Sequence, residues 1–193
     1  MKQLATTFCS IALALATTAG YAQKPVQVRG AISAFDGKSL SVKAADGKAV
    51  SVEITDKAEL IFNQPITLAD IKSGDFLAVT SMKREDGSLT AYEVRRFPKP
   101  LNPGHRPFQG RDDQTMTNAS VSAVVQSAKG RELTLTYEGG AQKIVVPENA
   151  AIYSQVPAQR SHFVPGAVVF LNAAAAEDGK LTAQRIQVTP RKQ

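Results

Sequence analysis

The 193-residue sequence holds one cysteine, Cys9, two histidines, His105 and His162, and no tryptophan. A single thiol allows neither an intrachain disulfide nor a cysteine metal site, so stability has to come from burial of apolar surface. Long hydrophobic runs are scarce too. The one such stretch, Leu4–Ala16, follows Met1-Lys2 and leads to the small residues Gly20 and Ala22 before Gln23. It is shorter than the roughly 20 residues of a membrane-crossing helix and has the charged start, apolar middle and small-residue end of a secretory signal peptide. The pattern predicts a leader over residues 1–22 and an exported product, periplasmic or secreted, with no transmembrane helix and no cysteine in its mature part.

A strong excess of charge on either module is also missing. The net charge of +6 is spread thinly: residues 23–98 carry eleven Lys/Arg against ten Asp/Glu, 99–117 three against two, and 118–193 eight against five. A groove for a polyanion would gather the excess on one face. The outward strand positions, Ser39, Ser41, Lys43, Ser51 and Glu53, then Thr134 and Thr136, offer no aromatic platform for stacking bases. Nucleic acid is therefore not expected as a partner.

What the chain does have is an internal repeat. At an offset of 92 residues, Glu85–Pro98 lies over Glu177–Pro190 with seven of fourteen positions identical, and Gly74 meets Gly166, Pro65 meets Pro157, and Leu60 meets Ile152. Two copies are too few for a solenoid, so each is expected to fold as its own unit.

Within the first copy the apolar period is two. Val26–Ala34 reads as a strand, Asp36-Gly37 as a turn, Leu40 and Val42 as the inward side of a second strand, Asp46-Gly47 as another turn, and Val50, Val52 and Ile54 as the inward side of a third. Thr67 can cap a single helical turn with Asp70 near its positive end and Gly74 closing it. Phe76–Met82 and Leu89–Phe97 supply two more strands around Asp86-Gly87. This order predicts an all-β protein of two tandem five-stranded OB-like barrels, each with a short helical turn between strands three and four. The corresponding boundaries are 23–97 for the first module, 98–117 for a Pro-rich basic linker, 118–190 for the second module and 191–193 for a basic tail. An open meander or small sandwich with the same strands is the alternative.

The residues Val28-Arg29-Gly30-Ala31-Ile32, Asp36-Gly37, Leu68–Asp75 and Asp86-Gly87-Ser88-Leu89-Thr90-Ala91 resemble the pattern of an exported bacterial family with an OB-like domain of unknown function. The resemblance implies the fold and no particular activity. The second copy departs from it by placing Ser161-His162-Phe163 where the acidic turn would be.

Candidate sites are few. From Arg95 to Arg111 the chain carries Arg95, Arg96, Lys99, His105, Arg106 and Arg111, with no acid until Asp112. This local cluster could meet an anionic surface such as a phospholipid head group, or an acidic partner, although charge runs are commonly just solvated. Four prolines within Pro98–Pro107 predict an extended, semi-rigid segment. The two histidines have no spacing that brings them together with carboxylates, so no metal site and no cofactor are expected, and His162 is read as covering the turn in place of Asp70. No catalytic motif is present, and Glu85-Asp86 and Glu177-Asp178 are turn residues. The leading expectation is a non-enzymatic periplasmic module that binds a small ligand, an envelope component or another exported protein, through its loops or the cleft between modules. The alternatives are an accessory to transport or envelope stress tolerance that handles metal cations or anionic lipid, and a hydrolase of envelope polymers.

Overall fold

In the computed structural model, residues 26–127, 130–175 and 179–191 are described. The expected leader, residues 1–22, lies outside them. The chain is all-β. The strands are β1 (Val26–Phe35), β2 (Ser39–Ala44), β3 (Ala49–Pro65), β4 (Phe76–Lys83), β5 (Leu89–Phe97), β6 (Gly104–Phe108), β7 (Arg111–Ser127), β8 (Gly130–Tyr137), β9 (Gly140–Val146), β10 (Ala151–Pro157), β11 (Val168–Ala175) and β12 (Leu181–Thr189). Two 3-10 turns, Leu68–Asp70 and Arg160–His162, precede β4 and β11.

Local chemistry sets these elements as the pattern predicts. Leu40, Val42 and Val52 are fully buried on alternate positions, as are Leu133 and Leu135 in the second half. At the first turn the Asp36 carboxylate accepts the backbone N–H groups of Lys38 and Ser39 at 2.8 and 2.7 Å, and these hydrogen bonds hold its pKa below the usual carboxylate value. Each half has a β-bulge whose extra residue is a serine bonded across the ladder: Ser33 Oγ donates to the Ser41 carbonyl and Ser122 Oγ to the Thr134 carbonyl, each at 3.1 Å.

The halves differ at the third strand. β3 runs unbroken for 17 residues, whereas its counterpart is cut into β9 and β10, with Ala150 N–H bonded back to the Pro147 carbonyl at 3.0 Å. Pro147 has no N–H to give to a ladder, and the Glu148-Asn149 pair favours a turn.

Strand pairing overturns the expectation that each half folds as its own unit. β1 and β2 pair with β3, but the strands that complete this barrel come from the other half: β3 pairs with β12 in parallel from Leu181↔Val52 to Val188↔Phe62, β12 with β11, and β11 with β1. The circuit β1-β2-β3-β12-β11 is a closed five-strand barrel. The remaining strands make a second circuit, β7-β8-β9-β5-β4, which returns to β5 through Leu89↔Ile144 and Thr90↔Val145. Each hairpin thus leaves its own half and completes the other. The apolar cores follow suit, since Val28, Leu40, Val42 and Val52 pack with Leu171, Ile186 and Val188, while Leu77, Val79 and Val94 pack with Val121, Leu133, Leu135 and Ile144.

The two circuits share a seam. β3 and β10 run antiparallel with Tyr153↔Pro65, Gln155↔Asn63 and Pro157↔Ile61, and β10 continues in parallel beside β5. The seam sheet β12-β3-β10-β5 is therefore continuous across the molecule. At its centre sit two buried amides: Gln155 Nε2 donates to Asn63 Oδ1 at 3.5 Å and lies 3.4 Å from Gln187 Oε1, while Asn63 Nδ2 donates to Thr189 Oγ1 at 2.8 Å. A slip of the pairing would strand them without partners, at about 1–3 kcal/mol each, so they hold the register.

The predicted linker is also more ordered than a Pro-rich spacer. Gln109 and Gly110 both have positive φ, 55° and 70°, and form a tight turn that joins β6 to β7. Residues 104–108 thereby become an added strand on the edge of β7.

Candidate functional site

The cations singled out in the sequence do not converge. Arg95 and Arg96 are neighbours in β5, so they project from opposite faces of the sheet. Arg95 pairs with Glu93 at 2.9 Å and donates to Gln187 Oε1 at 3.4 Å. Arg96 donates to the Asp70 carbonyl at 2.9 Å and to Ser154 Oγ at 3.3 Å, and meets Asp75 at 3.5 Å. It ties the first 3-10 turn to β10. Arg111 makes a two-pronged pair with Asp113, at 2.9 and 2.6 Å, which raises the pKa of the arginine and lowers that of the acid. Arg106 reaches the Asn102 carbonyl. His105 Nδ1 lies 2.8 Å from Thr117 Oγ1, and burial pushes its pKa below the ordinary value. Lys99 and Arg106 are both exposed and have no ion pair among the described residues.

His162 takes the place the sequence suggested. In the first 3-10 turn the Asp70 carboxylate accepts the Thr67 backbone N–H and hydroxyl, each at 2.8 Å, and these bonds hold its pKa low. In the second, His162 Nδ1 accepts the Gln159 N–H at 3.0 Å and its ring stacks on Phe62, with centroids 3.9 Å apart. An imidazole nitrogen thus does the capping work of a carboxylate, and the ring adds apolar contact to the first half.

A concave site lies over the seam. A cleft of about 660 Å³ has one wall made of Glu59, Leu60 and Ile61 from β3, Gln155, Val156 and Pro157 from β10, and Arg185 from β12. The chain leaving β5, Phe97–Leu101, makes the other wall. That second wall is fixed in place, because Asn118 Nδ2 donates to the carbonyls of Leu101 and Asn102, both at 3.1 Å. Three prolines, Pro98, Pro100 and Pro157, stiffen the lining. The polar groups sit among a mostly apolar surface: Glu59 and Arg185 pair at 3.2 Å, and Gln155 and Lys99 complete the set. Size and composition are those of a small-molecule pocket, apolar with a few placed polar groups. Of the six residues the sequence proposed, only Lys99 lines it.

The residues missed, Leu60, Ile61, Gln155 and Arg185, looked like ordinary strand positions. One signal was present: Asn63 and Gln155 are amides 92 residues apart, at the offset of the sequence similarity, inside otherwise apolar strands. Such a pair marks a buried polar contact.

These features define an all-β protein built on a closed five-strand barrel, with a cleft at the seam of its two halves. Residues 29–95 match the family model of a domain of unknown function (DUF5666). The matched segment covers most of β1 and the strands up to β5, which the fold divides between the two circuits. No curated protein and no solved structure matches the chain. No helix among the described residues is long and apolar enough to cross a membrane.

Proposed function

We propose that the protein is a non-enzymatic binding module of the exported compartment, formed by duplication of an OB-like unit, and that it takes a small, mostly apolar ligand with an anionic end in the seam cleft. The order β1-β2-β3-β12-β11, with its one parallel closure, supports the OB-like reading. The observation that carries the functional reading is the cleft itself: about 660 Å³, walled by apolar side chains and proline rings, with Lys99 at its edge lacking an acidic partner among the described residues. Apolar burial would supply affinity and Lys99 would orient the charged end. The leader pattern supports export. The arginines between 95 and 111 give less support to docking on an anionic surface, since Arg95, Arg96 and Arg111 are already paired with acids of the same chain and Arg106 alone of them is not.

A thermal-shift panel of acyl and aromatic carboxylates, sugars, nucleotides and anionic vesicles tests this. A ligand at a hundred times its Kd raises stability by about 2.7 kcal/mol, or roughly 5–10 °C for a chain of this size. Apolar carboxylates should produce that shift in the parent protein and not in Leu101→Trp, which fills the cleft, while Lys99→Glu should weaken it. No response to any apolar carboxylate, or an equal response in Leu101→Trp, would count against the cleft.

A further inference from the structure

The pairing registers repeat at the same offset as the sequence. Leu181↔Val52 and Leu89↔Ile144 are the same pair displaced by 92 residues in each member, with the halves exchanged, and so are Arg185↔Glu59 and Glu93↔Ala151. The β3–β10 pairing is its own image: Asn63 faces Gln155, its counterpart in the other half. This is the geometry of an isologous interface, in which one surface meets a copy of itself about a two-fold axis.

The segments that carry each hairpin across are held by the half they enter. Ile66 N–H bonds the Ile152 carbonyl at 3.1 Å and Ala158 N–H bonds the Leu60 carbonyl at 2.9 Å. Farther along, Gly74 N–H bonds the Val121 carbonyl and Gly166 N–H the Ile32 carbonyl, at 2.9 and 2.8 Å. Neither crossing is a slack tether.

We infer that the chain is a dimer turned inward: each half is the obligate partner of the other, through an interface of hairpin exchange and β3–β10 pairing, and the linker keeps the two at high effective concentration. In this arrangement, removing the partner's hairpin leaves β1-β2-β3 as an open barrel whose core residues Leu40, Val42 and Val52 face water. An unclosed sheet leaves that apolar face in water, and a lone half is small enough for the loss to matter. The seam cleft, lined by Ile61 and Lys99 of one half and Gln155 and Arg185 of the other, exists only while both halves are engaged.

The test cuts the linker and leaves the rest of the full chain in place. A protease recognition site is inserted between Asn102 and Pro103, both exposed, and the folded protein is cleaved. The uncut insertion variant melting like the parent shows that the insertion is tolerated. The two fragments should then co-elute as a 1:1 complex on a sizing column in native buffer, with one melting transition whose midpoint rises with protein concentration, as it must for a bimolecular fold. The uncut chain's midpoint should not depend on concentration. Fragments that separate in native buffer, or a cleaved protein whose midpoint is independent of concentration, would overturn the inference.

Discussion

Leu171→Ala should cost the protein about 2–5 kcal/mol, the range for emptying a large buried aliphatic position. The side chain is 1% exposed and sits in β11 opposite Val28 of β1 and Ile186 of β12. Its cavity would open in the barrel that holds Leu40, Val42 and Val52, all from the first half of the chain. The loss of amide hydrogen-exchange protection should therefore be largest at Val42 and Val52, far away in sequence. Leu133, Leu135 and Ile144, which share a half with Leu171 but belong to the other core, should keep theirs longer. The midpoint should fall by roughly 5–20 °C. Loosening confined to Leu133, Leu135 and Ile144 would mean that Leu171 packs within its own half.

Gly30→Ala should cost nearly as much, about 3 kcal/mol, at the upper end for overpacking. Gly30 pairs with Ala44 where β1 crosses β2, and an added methyl would run into the Lys43 carbonyl and lie 2.8 Å from the Ala44 Cα. The obstacle is backbone, so no side-chain rotation relieves it. The ladder from β1 to β2 must part, and with it the β1–β11 pairing that lets the second half close the barrel. Equilibrium unfolding in urea measures the loss, and a change under about 1 kcal/mol would show that β1 can shift outward.

These two positions also mark what could be read from the sequence. Alternation at Leu40, Val42 and Val52, the Asp-Gly turns and the Thr67–Asp70 cap are local, and each is dictated by residues within a few positions of one another. Which hairpin closes which barrel is not local. At the 92-residue offset Leu77 corresponds to Val169 and Val79 to Leu171, all four buried aliphatics, so the pattern of burial they offer to Leu40 and Val42 is degenerate. The choice rests on the crossings after Pro65 and Pro157 and on the seam, where Asn63 meets Gln155. The site was partly legible for the same reason. Lys99 and the prolines stand out in composition, while Ile61, Gln155 and Arg185 become a cleft only when strands from both halves lie side by side. Arg95 and Arg96 looked like a cluster because they are adjacent, and adjacency in a strand separates side chains to opposite faces.

Hairpin exchange is the claim on which the cleft and the internal dimer both depend, and a pair of engineered cysteines reads it directly. In a Cys9→Ser background no other thiol is present. Gln27 and Asn172 are register partners across β1 and β11, at a separation a disulfide can span. If the hairpin stayed in its own half, the partner of Gln27 would be Thr80, 92 residues before Asn172. Oxidation should link Gln27→Cys to Asn172→Cys nearly completely within the monomer and leave the Gln27→Cys, Thr80→Cys variant as free thiols. Ready closure of the second pair, with the first left reduced, would contradict the exchange.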